Sequence, residues 1–476
     1  MIYSEPFNHF IAYRKLFKST ELITNEVITL LQQQRSRELN RALYELTVTK
    51  IILNIFVVHK HHHSKTVGIS RAKNYWDKKN FYHHPQLKYT NVINCLNALE
   101  QLDWIKTAKK GYYDDFTRSG ETTRYKATKK LIEAFSRDKL SLYGITLDEE
   151  YDKTQGIVLR GKKPRKTKHN PSPKGKQIPF DITPDIKQMQ QNLSKLNWAL
   201  QRTDIGLFIN KQQEEEIINI MRKKANDDSD EPREIHFNNK TLYRVFNEDF
   251  TKGGRFYGGF WQQIPKQYRS VLTINNKTTY EQDYSFMHLF MIYLREGQQL
   301  TTDPYMRCAG DRTSTKLTIN FMINSDNIKD CLNAMRKEKN ITKPEGFRTY
   351  KDYLDHVAEQ FNSINHYFFT GYGRELQRLD SDIAEYVLMD MHHKGYVVLP
   401  VHDSFVCQTE CIAELIDSMN KAAIVVLKTR LYSEPQLPWK SYDFKINKTN
   451  SNYYQRRNEF IRVNELDIPE EELKIL

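Results

Sequence analysis

The stretch that most limits what this chain can fold into runs from Thr278 to Tyr293. A β-like run, Thr278 to Gln282, ends on Asp283 and passes into apolar residues at helical spacing, Phe286, Met287, Leu289, Phe290, Ile292 and Tyr293. A carboxylate is thereby placed at a strand end. More than a hundred residues later, two further strand-like runs, Tyr396 to Val401 and Phe405 to Gln408, flank a tight polar step, and this predicts a hairpin with Asp403 at its tip. An Asp before a Ser in a turn commonly caps its own backbone, so neither segment decides anything alone. Two carboxylates on neighbouring strands can hold a pair of divalent cations about 3.5 to 4 Å apart, an arrangement suited to phosphoryl transfer.

Between the two aspartates, Arg312, Lys316, Asn320 and Asn324 recur every four residues in RTSTKLTINFMINS, which puts them on one helical face. A cationic stripe opposite two carboxylates suits a nucleoside triphosphate, whose phosphate oxygens need positive partners. The order of these segments resembles that of family A DNA polymerases. Thr251, Gly254 and Arg255 match the family's TxxGR motif, and Gln263, Ile264 and Pro265 resemble its QNIP segment. Asp283, Tyr284 and Ser285 look like the start of motif A, Arg312 and Lys316 match the phosphate-binding positions of the fingers helix, and Val401, His402 and Asp403 match motif C. The resemblance covers roughly residues 185 to 450.

It implies a palm with fingers and a reduced thumb, with Asp283 and Asp403 as catalytic ligands of two Mg2+ ions, Mn2+ being an acceptable substitute. It puts Arg312, Lys316, Asn320, Asn324 and His288 around the nucleotide, and Arg255, Gln263, Arg374, Gln377 and His402 on the primer and template. Four positions depart from the family. His288 stands where motif A carries Glu, Asn320 and Asn324 replace an aromatic residue and a Tyr, and the hairpin reads HDS, as in single-subunit RNA polymerases, rather than HDE. The choice between dNTPs and NTPs is therefore open. No exonuclease-like region precedes the segment, so proofreading is not expected.

The formal charge of +13 is one-sided. Residues 1 to 180 hold 33 Lys and Arg against 17 Asp and Glu, a net of +16, whereas residues 181 to 476 are slightly acidic. A basic half is an electrostatic footprint for nucleic acid. Within it, Val92, Ile93, Leu96, Leu99 and Leu102 recur at helical spacing with Lys88, Asn91, Asn94 and Asn97 on another face. Two short strands, Trp104 to Thr107 and Thr122 to Ala127, would follow around a loop with Lys109, Lys110 and Arg118. This pattern resembles a winged helix-turn-helix domain, whose helix would enter a DNA groove while its wing meets the backbone; packing against another domain is the alternative. The cluster His59, His61, His62 and His63 reads as a loop or a solvated helix end, because adjacent histidines do not converge on one metal ion.

The expected organisation is α+β: residues 1–150 a helical and winged-helix DNA-binding domain, 151–182 a basic flexible linker, 183–250 thumb-like helices, and 251–476 palm and fingers. Arg374, Gln377 and Arg378 lie on a helix before the hairpin, facing the duplex by the resemblance. The acidic run Asp227 to Glu234 reads as an exposed loop. Five cysteines without paired spacing, no signal-peptide profile and no apolar run near 20 residues predict a reducing cytoplasmic setting without membrane contact. The expected partners are duplex DNA, a primer-template, and dNTPs or NTPs, with protein partners unknown. The expected activity is template-directed nucleotidyl transfer in replication of a mobile element, plasmid or phage. Alternatives are a primase or single-subunit RNA polymerase, and a non-catalytic replication initiator or regulator.

Overall fold

The computed structural model describes residues 4–14, 17–33, 35–77, 82–114, 119–164, 174–224, 235–298, 300, 302–427, 433–435, 456, 459–460 and 462. The fold is mixed α+β. Its central sheet runs Ile205–Leu207, Leu272–Ile274, Lys277–Tyr284, Ser404–Gln408, Leu399–Val401, with Ser433–Pro435 also pairing against Lys277–Tyr284, and every pairing is antiparallel. Local chemistry sets its register. Asn275 and Asn276 both adopt positive φ, 50° and 63°, the turn that Asn tolerates best and that matches the twist of a two-residue hairpin. Ile274 then faces Lys277. With side chains alternating across the strand, Thr279, Glu281 and Asp283 share one face and Tyr280, Gln282 and Tyr284 the other.

Helices cover this sheet and bury one continuous apolar core reaching from Leu193 to Ala423. The longest, Gly373–His393, lies against the strand Asp249–Tyr257, which pairs with Tyr243–Asn247, itself parallel to Ile157–Arg160. Close approach depends on Gly254. Its φ is +90°, and a Cβ there would meet Ser381 Oγ at 2.6 Å and a Phe246 ring carbon at 2.8 Å. The next residue, Arg255, is thereby aimed along the helix.

A second core, from Phe7 to Leu140, encloses a four-stranded sheet in the order Ser4–Pro6, Thr66–Ile69, Thr123–Ala127, Ile105–Lys109. Helices Lys18–Gln32, Arg41–His61, Tyr89–Gln101 and Lys129–Arg137 pack around it. Contrary to the expectation from the sequence, Arg41–His61 is long and apolar enough to cross a membrane by length and composition. Its place in the fold accounts for that composition: 61% of the stretch is buried. At its middle, Lys50 donates to the Ile11 carbonyl (2.9 Å) and pairs with Asp148.

The histidine cluster also differs from expectation. His61 is buried rather than solvated, and its Nε2 lies 3.0 Å from His236 Nδ1, across the seam between the two cores. Burial first, then His236 and Lys65, drive its pKa down to about 3. The ends of the basic segment are tied together: Arg160 bridges Gln177, and Gly161 donates to the Lys176 carbonyl (2.9 Å). Arg118, residues 165–173 of that segment, and Asp227 to Glu234 lie outside the described residues. All five cysteines are free and buried.

Candidate active site

Asp283 and Asp403 meet at the edge of the central sheet. The register pairs Asp283 with Ser404, so Asp403 stands one residue from the position facing it, in the two-residue turn joining Val401 to Ser404. His402, the first turn residue, has φ +62°, a conformation that costs a non-glycine residue about 1–3 kcal/mol and that recurs at functional sites. The turn hangs on two side-chain donors, the buried Trp261 and the half-buried Gln262. Trp261 Nε1 (3.1 Å) and Gln262 Nε2 (3.0 Å) both reach the Pro400 carbonyl. Gln263, the residue expected at the template, is the exposed neighbour of Gln262.

The Asp283 carboxyl is pushed up to about 7, by burial first and then by the charges of Asp403 and Glu281, with Lys316 pulling the other way. Its Oδ1 is buried without a hydrogen-bond partner among the described residues. Glu281, on the same strand face, is already satisfied: Arg269 pairs with it at 2.9 Å and Ser404 Oγ donates at 2.7 Å. Sequence reasoning missed both: period-two spacing from Asp283 is the signal that could have found Glu281, and Arg269 carried none. No group of three or more His, Cys, Asp or Glu suited to a metal forms among the described residues. A crowded carboxylate pair with an orphaned oxygen fits Mg2+, which keeps several waters and is held by one or two carboxylates plus substrate phosphates.

Behind the carboxylates lies a triad that sequence reasoning missed in part. Asp380, 2% exposed on the helix Gly373–His393, accepts from both Arg255 Nε (3.0 Å) and His288 Nε2 (3.0 Å). Burial would raise this carboxyl, but the hydrogen bonds from His288 and Arg255 outweigh it and hold Asp380 below the usual carboxylate range. Arg255 and His288 are thus engaged with Asp380. A second buried cation, Arg244, is braced by Glu385, Asp382 and Ser381 one turn along.

The helix Arg312–Asn324 starts at Asp311, whose side chain accepts from the Ser314 amide (2.9 Å). Along it, Lys316 is exposed, has no ion pair among the described residues, and is near enough to Asp283 to lower its pKa. Arg312 is held by Asp303 at 2.6 Å. Asn320 is half-buried, while Asn324 donates back to its carbonyl (2.8 Å) and packs on Gly373, where a Cβ would lie 2.1 Å from its Oδ1. Asn324 therefore braces the start of the helix Gly373–His393. There, Arg374 pairs with Asp326 (2.6 Å), Gln377 is half-buried, and Arg378 donates to the Phe250 carbonyl (2.8 Å) and pairs with Asp382.

In the basic half, the polar face of Tyr89–Gln101 is largely spent inside the protein. Asn91 is buried and donates to Thr47 Oγ1 (2.8 Å), Asn94 donates to the Tyr44 hydroxyl (3.2 Å), and Asn97 accepts from Arg71. Lys109 and Lys110 remain exposed on the following strand and loop.

No family model matches the chain, and no curated protein matches it. Among solved structures it is similar to the POL domain of Pol1 from M. smegmatis, solved in complex with DNA primer-template and dNTP, at 11% identity and a TM-score of 0.32. The match covers 57% of this chain and spans 57% of that one. A likeness of that size fixes neither fold nor function, and the chemistry is read from the residues of this chain.

Proposed function

We propose that this chain is a template-directed nucleotidyltransferase with a palm-like sheet at its centre and a nucleic-acid-binding, winged-helix-like N-terminal half. The observation that carries the reading is the Asp283 and Asp403 pair: a carboxylate at a strand end beside one in the adjoining hairpin turn, the first pushed up to about 7 with an oxygen unpartnered among the described residues, and close to it Lys316, which has no ion pair among them. A structural ion pair would have matched those carboxylates with cations of the chain. Among the described residues Glu281 is so matched through Arg269 and Asp380 through Arg255, whereas the Asp283 carboxyl keeps an unpartnered oxygen.

In this reading Asp283 and Asp403 hold two Mg2+ ions, which when bound supply the charge that activates a primer 3′-hydroxyl and offsets the departing pyrophosphate. Lys316 contacts the triphosphate, and Arg312 joins it by exchanging Asp303 for a phosphate oxygen. Asp380 fixes the rotamers of Arg255 and His288, so His288 borders the nucleotide as a positioned group. The basic half holds the template through its phosphates.

The test is extension of a primed and an unprimed template, each with dNTPs and with NTPs, in Mg2+. Incorporation dependent on both the template and Mg2+ is expected. Its absence in all four reactions, from folded protein that binds DNA, would leave the non-catalytic initiator as the surviving alternative.

A further inference from the structure

The antiparallel ladder between Ile105–Lys109 and Thr123–Ala127 sets like charges directly opposite one another twice: Lys106 faces Lys126, and Lys109 faces Arg124. Like charges in that position oppose strand pairing. The two pairs are handled differently. Glu121 lies between Lys109 (2.7 Å) and Arg124 (3.2 Å) and offsets both. Lys106 and Lys126 are exposed, and among the described residues neither has an ion pair.

Those two lysines open on a cavity of about 410 Å³. His59, His63 and Lys65 line it as well, and no described acidic side chain does. The His59 and His63 rings are 4.7 Å apart, and Lys65 is held by Glu5 at 2.9 Å. Burial first, then His63 and Lys60, lowers the His59 pKa. Ile55, Val67 and Ile132 give the same space an apolar wall.

We propose that this cavity is a phosphate-binding site, in which an external phosphate stands between Lys106 and Lys126 as Glu121 stands between Lys109 and Arg124. The phosphate comes from a nucleic-acid backbone or from a free nucleotide; the recognising chemistry is the same. The site lies outside the carboxylate pair and does not depend on the polymerase reading.

Binding of pyrophosphate, dTMP and a blunt duplex without terminal phosphates to the full-length chain tests it. Lys106→Gln and Lys126→Gln should each weaken binding of at least one of these about tenfold, the loss of one charge-assisted contact. Lys129→Gln, exposed and outside the cavity, should leave pyrophosphate and dTMP binding unchanged. Loss confined to pyrophosphate and dTMP assigns the site to free phosphates, and loss confined to the duplex assigns it to the backbone. Without any ligand, Lys126→Gln should melt at the same temperature as the wild type or higher, because a like-charge pair has gone, so weakened binding cannot be ascribed to misfolding. The double variant Lys106→Arg/Lys126→Arg should retain affinity. Wild-type affinity for all three ligands in both Gln variants would overturn the site.

Discussion

At the scale of single residues, the chemistry turns on which carboxylates are already matched by the protein. Asp380 is matched and Asp283 is not, and their pKa values move in opposite directions for that reason. Arg255→Met should therefore act first on stability. It leaves the buried Asp380 carboxylate with His288 as its remaining partner, and losing one partner of a buried pair costs up to about 3–5 kcal/mol. The double variant Arg255→Met/Asp380→Leu should recover most of that loss in urea unfolding, because no unpaired charge remains. Equal stability of wild type and single variant would show that the ion pair does not hold Arg255. Asp380 escaped sequence reasoning because its partner is 125 positions away, and nothing in the periodicity of a helix announces which strand it will meet. Asp283 and Asp403 were legible because each sits where a strand pattern breaks.

At the scale of elements, two backbone devices position the site. The Asn275-Asn276 turn sets the register that puts Asp283 and Glu281 on one face, and Gly254 lets a strand touch the helix carrying Asp380. Gly254→Ala should lower the melting temperature markedly, since Ala pays for positive φ and its Cβ meets Ser381 and Phe246. Asn276→Gly should be neutral or stabilising, because Gly adopts positive φ without strain. A Gly254→Ala protein as stable as the wild type would remove close packing as the reason for that glycine. The hairpin, the strand-to-helix passage at Asp283 and the helix Tyr89–Gln101 were readable from alternation and helical spacing. The internal use of Asn91, Asn94 and Asn324 was not, since a polar residue's partner depends on tertiary contacts.

At the scale of the whole molecule, two cores meet at a seam where His61 faces His236, while His9 is buried within the N-terminal core. His9 and His61 are both driven down to about 3, in each case by burial first and then by neighbouring His and Lys side chains. A histidine whose folded pKa is depressed contributes stability that is complete above its unfolded value, near 6.5, and is lost as pH falls towards the folded one. Stability should thus decline between about pH 6.5 and 3, and His61→Gln should flatten that decline. An unchanged slope in chemical denaturation across this range would exclude His61 as a contributor. The charge asymmetry visible in composition marks the basic half but not its contacts, and the seam itself had no sequence signature, because His61 and His236 are 175 positions apart.

The central claim is that Asp283 and Asp403 act together in nucleotidyl transfer. The most direct measurement is single-turnover incorporation of one nucleotide on a primed template in Mg2+, by the wild type, Asp283→Asn and Asp403→Asn, with duplex binding measured on the same preparations. Both variants should lose incorporation by orders of magnitude while binding DNA with wild-type affinity through the basic half. Near-normal incorporation by Asp403→Asn would contradict the account.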